Sequence, residues 1–533
     1  MVSQNAHVIA ALEFLVVFSI ANAYLLGPTT SLRIANARVS PDGFTRVAVL
    51  AEGTFPGPMI TAMKGDRFAV NVQNDLTDLS MLTSTSIHWH GLHVQGSNWA
   101  DGTVSVTQCP VSPGHAFEYI FSGGSQAGTY WYHSHLTSQY CDGLRGPLII
   151  YDPQDPHRNL YDVDDESMII SLSDWYRMSP QPYKPFNSEL TSNSTLINGL
   201  GRYKGGPKSP LAVLNVEQGK RYRLRFISMA CDPYFTVSID GHEMTIIEAD
   251  GTNVAPLNID SFEIFAGQRY SAVLHASNRV GNYWIRVDTS KGPSGFEGGI
   301  NSAVLRYRGA SEEEPATKYS DDIKKKVLKE VDLRPLDKSG VPGKPQRNGA
   351  DININLVFEK DKETSEYLMN GVTYKPPTVP VLLQILSGAT DAGSLLPPGS
   401  IYYLPLNKTV QVSMPIQKGV GGNPHPMHLH GHKFSVVRSA GSSEYNYENA
   451  IWRDVVSAGD EGDNVTIRWK TDNSGPWFFH CHLEDHLEKG MAIVFAEDVR
   501  GVAKANPVPG SWKALCPIYE QQFDVWSQDK MGY

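Results

Sequence analysis

Between Gly475 and Met491 the chain reads GPWFFHCHLEDHLEKGM, a run that holds His480, Cys481, His482, His486 and Met491. In a strand leading into a helix, side chains alternate, so His480 and His482 point to one side and Cys481 to the other. One short segment can then serve two metal sites. A thiolate with imidazoles suits copper, and two histidines, one cysteine and a weak axial thioether form the pattern of an electron-transfer copper centre. Cys481 and His486 supply two of those ligands, and Met491, ten residues after the cysteine, is placed to be the axial donor. The backbone from Cys481 to either flanking histidine becomes a covalent bridge between that centre and whatever His480 and His482 bind.

A single His-x-His is weak evidence, because two histidines in a strand usually face solvent. The 17 histidines in 533 residues would give about 0.5 such pairs by chance. Five occur, at 88/90, 133/135, 428/430, 430/432 and 480/482. Four of them supply eight imidazoles, on His88, His90, His133, His135, His428, His430, His480 and His482. If the two ends of the chain pack together, these enclose a cluster of several coppers, and His425 is left to join Cys481 and His486. Polar core histidines would explain one pair, not five in two groups. Reducing O2 to water takes four electrons, whereas aromatic reductants give them up singly. A one-electron copper wired to a multi-copper cluster reconciles the two, with the metal carrying the chemistry and the protein fixing the geometry.

Such ligands need rigid strands to hold them. At 533 residues the chain exceeds one core, and at roughly 150 residues per domain it should hold about three. With 19% charged residues, 47 Gly and 34 Pro, and no long amphipathic period away from the histidine clusters, it reads as all-β with a few short helices. Residues 24–155 alternate short β-branched runs with turn signals such as Ser40-Pro41-Asp42-Gly43 and carry the first two histidine pairs. Residues 156–310 are similarly β-rich but have no paired histidines. Residues 311–350 are charged and rich in Pro and Gly, a surface linker with one short helix expected over 321–331. Residues 351–533 form the third domain, with the remaining ligands.

Residues 10–23 are apolar and end in Ala21-Asn22-Ala23, a signal-peptide cleavage pattern, so 1–23 are expected to be removed and the protein secreted. No later run reaches the roughly 18 apolar residues of a membrane span. Five cysteines fit an oxidising compartment. With Cys481 held by a metal, Cys109, Cys141, Cys231 and Cys516 form an even set that allows two disulfides in any of three pairings. Asn193, Asn407 and Asn464 begin N-x-[ST] sequons compatible with glycosylation. The net charge of -10 argues against a nucleic-acid partner, which selects basic surfaces.

HWHGLHVQGSNWADGTVSVTQCPV (88–111), GTYWYHSHLTSQYCDGLRGP (128–147), HPMHLHGH (425–432) and the opening stretch together resemble the four copper signatures of multicopper oxidases, specifically fungal (basidiomycete-type) laccases. The likeness runs on through SDWY, STLINGLGR, CDPYFTVSIDGH and PPTVPVLLQILSGA, over nearly the whole chain after residue 23. It implies three cupredoxin-like Greek-key β-sandwich domains and four copper ions. The type 1 copper would sit on His425, Cys481 and His486, the type 2 on His88 and His428, and the type 3 pair on His90, His133, His135, His430, His480 and His482. It implies disulfides Cys109–Cys516 and Cys141–Cys231. It also implies phenol docking beside His486, where Asp232 matches an acidic residue that can accept the proton lost on oxidation. Asp101 matches an acidic residue near the oxygen-reducing site, with a proton-relay role. A secreted, monomeric laccase would oxidise phenols and aromatic amines and reduce O2 to two waters, chemistry shared by lignin breakdown, pigment formation and detoxification.

Departures from that pattern carry their own expectations. Fungal laccases usually have Leu or Phe at the axial position; here Met491 would stabilise Cu(II) and give a low potential. Arg177 replaces the family's His after Asp-Trp-Tyr, Ser290-Lys291 replaces an Asn-Phe pair, and Asp485 replaces an aromatic. This polar shift points to charged phenolic acids over bulky apolar phenols. Two rivals stand beside the laccase reading. One is a ferroxidase of the same fold, with Glu484 and Asp485 as the working carboxylates near His486; the other is a copper-binding protein without turnover.

Overall fold

The computed structural model describes residues 25–177, 191–320, 326–422 and 424–530. The apolar N-terminal run with its cleavage pattern lies outside them, as do residues 321–325 of the expected helix. Strands dominate the described residues, as the composition implied. Alternation explains the outer ones: in Ala116–Ser122 the aromatic residues Phe117, Tyr119 and Phe121 turn inward while their neighbours face out. Gly128–His133 and Gly475–Cys481 are instead buried at every position, because both faces of these strands are covered.

The first part of the chain forms a five-stranded sheet in the order Leu25–Leu26, Met59–Met63, Arg145–Tyr151, Gly128–His133, His88–His90. A four-stranded sheet shares its apolar core, through Leu32, Val49, Phe68 and Phe121. Sheets of seven and five strands follow between Ile169 and Tyr307. In the last part a five-stranded sheet runs Ile401–Leu404, Ala492–Glu497, Gly475–Cys481, Pro426–Leu429, Val455–Ser457. Trp477, Phe478 and Val494 of this sheet enter the same core as Ile87 and Trp89. That shared core brings the two histidine-bearing regions together.

The C-terminus tightens the same junction. Helix Gly510–Lys530 sets Trp512 Nε1 to donate to the Thr107 carbonyl at 2.9 Å and bonds Cys516 to Cys109 across 407 residues of sequence. Trp512, Leu515, Cys516 and Tyr519 fall at helical spacing, a period that a β-dominated reading passes over. Cys141–Cys231 is the second disulfide, and Cys481 is free and buried.

The helix expected over 321–331 does not form in its described part. Val327 bridges Ser261, Leu328 N–H donates to the Ser261 carbonyl at 2.9 Å, and only Glu330–Asp332 makes a single 3-10 turn. Pairing with the neighbouring backbone overrides a weak helical preference. Nor is the segment simply solvated: Leu333 is buried, and Glu330 reaches Arg453 at 3.3 Å.

Candidate metal centres

Sheet register assembles the imidazoles. His88 lies directly across from His133, and His428 across from His480. Directly opposed residues of an antiparallel pair share a face, so each pairing doubles the nitrogens presented on one side. Ring nitrogens of His88, His428 and His430 fall within 4.8 Å of one another, as do those of His88, His90 and His133, and those of His135, His430 and His480. His482 joins through Nε2, 3.3 Å from His90 Nδ1.

The outward nitrogens fix which atoms face inward. Nδ1 of His88 donates to the Asp101 carbonyl at 2.7 Å, that of His133 to Ser134 at 2.8 Å, that of His428 to Asp454 at 2.8 Å, and that of His480 to Cys481 at 3.0 Å. His430 Nδ1 donates to Asp101 Oδ2 at 2.9 Å. With Nδ1 protonated, each Nε2 carries a lone pair. Those of His430 and His480 face each other at 3.1 Å, and those of His88, His133, His135 and His428 are buried without a hydrogen-bond partner. Burial also drives His90, His133, His135, His428, His430 and His480 well below the usual imidazole pKa, so they stay neutral. Converging buried lone pairs are costly unless a cation sits among them. An all-imidazole set of this kind fits copper.

Two carboxylates brace the cluster. Asp101, 1% exposed, accepts from Thr103 Oγ1 at 2.7 Å and from His430 on its carboxylate and from His88 on its carbonyl, and so ties histidines from both ends of the chain. Asp454 Oδ1 lies 3.3 Å from His90 Nε2, and its two oxygens accept from Arg269 at 2.6 and 2.7 Å in a fully buried fork. Nothing in the spacing of Arg453-Asp454 marked that residue.

On the other side of strand Gly475–Cys481 lies the second set. His425 Nδ1 and His486 Nδ1 are 2.9 Å apart, and Cys481 Sγ is 3.8 and 3.6 Å from them. His425 is pushed down to about 3 by burial, and burial pushes the Cys481 thiol up. A thiolate there needs a cation beside it, and two imidazoles with one sulfur fit copper. Met491 is buried in the same cluster; its N–H donates to the His486 carbonyl and its carbonyl accepts from Cys481 N–H, both at 3.0 Å. The helix Glu484–Glu488 turns His486 back toward the strand.

Beside His486 the Tyr367 ring lies at 4.5 Å, and glycine at 422 (φ +93°) leaves the Nε2 edge uncovered by any side chain of its own. A Cβ at 422 would come within 3.0 Å of His486 Cε1. Neither Tyr367 nor Gly422 was marked by spacing. Asp232 is 3% exposed and is paired with Lys291 at 2.7 Å; its own N–H and that of Cys231 are held by Asp174. Burial raises Asp232 to about 6 against the pull of Lys291. Glu484 is buried, with burial and the nearby Glu488 and Asp485 pushing its carboxyl well up, and Asp485 is paired with Lys489 at 2.8 Å. Arg177 stacks on Tyr203 and Phe44. Among the sequons Asn407 is exposed, whereas Asn193 and Asn464 are half-buried.

Profiles of the multicopper oxidases match residues 33–155, 166–310 and 374–501. The chain therefore belongs to the multicopper oxidase family, whose domains have the cupredoxin fold. Within the family its likeness is to laccases of the basidiomycete type, and laccase activity goes with it. The laccase of Trametes hirsuta is 56% identical over 93% of this chain and 94% of that one. Among solved structures, the laccase from Botrytis aclada (28% identity, 95% and 94% of the two chains, TM-score 0.80) superposes about as well as Fet3p, a multicopper oxidase that functions in iron import (27%, 93% and 95%, 0.80). The shared fold does not separate the two activities; the much higher sequence identity favours laccase over ferroxidase.

Proposed function

We propose that the enzyme oxidises phenols and aromatic amines one electron at a time at His486, with His425, Cys481 and His486 holding one copper and the eight other histidines holding three. Bound copper supplies the electron acceptance and the four-electron reduction of O2 to two waters. The observation that carries this reading is the position of Cys481 between His480 and His482, which ties the two ligand sets through one residue of backbone.

Within this reading the chain's own groups have separate tasks. Asp232 takes the proton that a phenol loses as it is oxidised, and Lys291 holds that carboxylate in its ionised form. The Cys481 carbonyl accepts the His480 Nδ1–H, which fixes His480 and adds a second short path to the covalent one. Asp101 orients His88 and His430 and stands as a proton carrier beside them. Asp454 and Arg269 lock His90 and His428. The buried, ion-paired Asp485 and the buried Glu484 offer no open carboxylate site for an iron ion.

We further propose domains at 24–155, 156–310 and 351–533 joined by 311–350, removal of 1–23, secretion with a glycan on the exposed Asn407, and action as a monomer. Among the described residues no helix is long and apolar enough to cross a membrane. The test is oxygen uptake by copper-loaded protein, comparing 2,6-dimethoxyphenol with Fe(II) in one buffer. A higher kcat/KM for the phenol is expected; a preference for iron, or no uptake with either, overturns the reading.

A further inference from the structure

Gly422 puts no side chain of its own over the Nε2 edge of His486, so the groups around that edge are placed to select what docks there. Three lysines act on it, Lys291, Lys360 and Lys489. Lys291 is paired with Asp232 at 2.7 Å and Lys489 with Asp485 at 2.8 Å, so neither ammonium offers an uncompensated charge to a ligand. Lys360 differs. Among the described residues it belongs to no ion pair; its ammonium lies 3.5 Å from the Tyr367 hydroxyl and 4.9 Å from the centre of that ring.

The hairpin of Phe358–Lys360 and Tyr367–Met369 explains how it is held. Lys360 pairs directly with Tyr367 across the two strands, so the side chains lie on one face. Tyr367 in turn packs its ring against His486 at 4.5 Å, and a Cβ at 422 would lie 3.2 Å from His486 Nε2 and 3.4 Å from the Tyr367 hydroxyl. One small corner therefore holds the Nε2 edge, a phenolic hydroxyl and an ammonium without a carboxylate partner. A half-buried cation stacked on an aromatic ring is pre-organised, and it can meet an incoming anion at little cost in side-chain entropy.

We propose that Lys360, positioned by Tyr367 over the space left by Gly422, is the specificity-determining residue for phenolic acids, and that it binds their carboxylate while the phenol ring lies against His486. This rests on the reading of His486 as the substrate-facing ligand. It moves to Lys360 the anion preference that the sequence drew from Arg177, Ser290-Lys291 and Asp485 together; of these, the charge of Lys291 is taken up by Asp232. The substrate class is a phenol with a carboxylate across the ring or on a short arm, as in hydroxybenzoates and hydroxycinnamates.

The test pairs sinapic acid with its methyl ester, at a pH where the acid is ionised, on copper-loaded wild type, Lys360→Met, Lys360→Arg and Lys291→Met. In Lys360→Met the acid-to-ester ratio of kcat/KM falls about fivefold, the size of one partly exposed ion pair, and the loss sits in KM. Lys360→Arg restores the ratio, and Lys291→Met holds it within about twofold of wild type. A second readout needs no turnover: 4-methoxycinnamate, which has no phenolic hydrogen to lose, binds Lys360→Met about fivefold more weakly by calorimetry. An unchanged ratio and unchanged binding in Lys360→Met, or loss of the ratio in Lys291→Met instead, overturns the proposal. If wild type oxidises neither acid nor ester, the phenol-oxidation reading has failed, and the calorimetric comparison still decides the role of Lys360.

Discussion

If Asp232 is the acceptor of the phenolic proton, the pH dependence of phenol oxidation belongs to Asp232 and Lys291 together. Asp232 works only when ionised, so kcat/KM for a neutral phenol should rise with pH through a midpoint near 6. Burial is the largest influence and pushes that midpoint up, Asp174 and Asp485 push the same way, and Lys291 opposes all three. Lys291→Met removes the opposing charge, so the limb must move to higher pH. A charge-assisted hydrogen bond contributes about 1.5 to 3 kcal/mol, and Lys291 is 19% exposed, which puts the effect at the lower end. At about 1.4 kcal/mol per unit the expected displacement is about one pH unit. Asp232→Asn should abolish the limb and lower kcat/KM at high pH by about 100-fold, the usual size of a positioned base. The assay is initial oxygen uptake with 2,6-dimethoxyphenol across pH, with ferrocyanide, which gives up no proton, as the control reductant. A limb that stays in place or moves down in Lys291→Met refutes the reasoning, as does a limb of the same midpoint with ferrocyanide.

Three further outcomes are expected. Met491→Leu removes a thioether that favours Cu(II), so a redox titration of copper-loaded protein should give a more positive midpoint at the thiolate site; an unchanged or lower midpoint would mean that Met491 does not donate. Asp454→Asn takes from the fully buried Arg269 guanidinium its nearer counter-charge and leaves Asp250 at 3.7 Å, so the cost should fall below the roughly 3 to 5 kcal/mol of an uncompensated buried charge and still lower the thermal midpoint; copper retention on dialysis should weaken by about 10-fold, since the carboxylate faces His90 Nε2 at 3.3 Å while His428 stays on the backbone carbonyl of residue 454. Opening Cys109–Cys516 releases a loop closed across 407 residues, for which chain entropy gives at most about 6 kcal/mol. Cys516→Ser and Cys109→Ser should lower the urea midpoint equally, and the double variant should add nothing; additive losses would show that the bond is not the source.

What could be read from the sequence, and what could not, divides along a physical line. Metal ligands on strands obey a period of two, so His-x-His pairs and the His-Cys-His triplet advertise both their identity and their direction, and the structure brings ring nitrogens of the paired residues together. Mostly-β architecture was legible for the same reason, from alternation and turn residues. Groups that act on the ligands have no such period. Asp454 reaches His90, and Lys360 reaches the Tyr367 ring that packs on His486, only because separate strands were packed side by side, and a lone Asp or Lys carries no record of that. The helix Gly510–Lys530 did have a period but was passed over amid strands, and the one expected over 321–331 yields in its described part to backbone pairing with Ser261. Lys291 shows the sharper limit. Its sign was legible and its availability was not, because a charge in a sequence is not yet a charge at a surface: Asp232, 59 residues away in the chain, takes it up at 2.7 Å. Selectivity for an anion should fall to a cation that no carboxylate takes up, and among the described residues near His486 we assign it to Lys360, held at 3.5 Å from the Tyr367 hydroxyl.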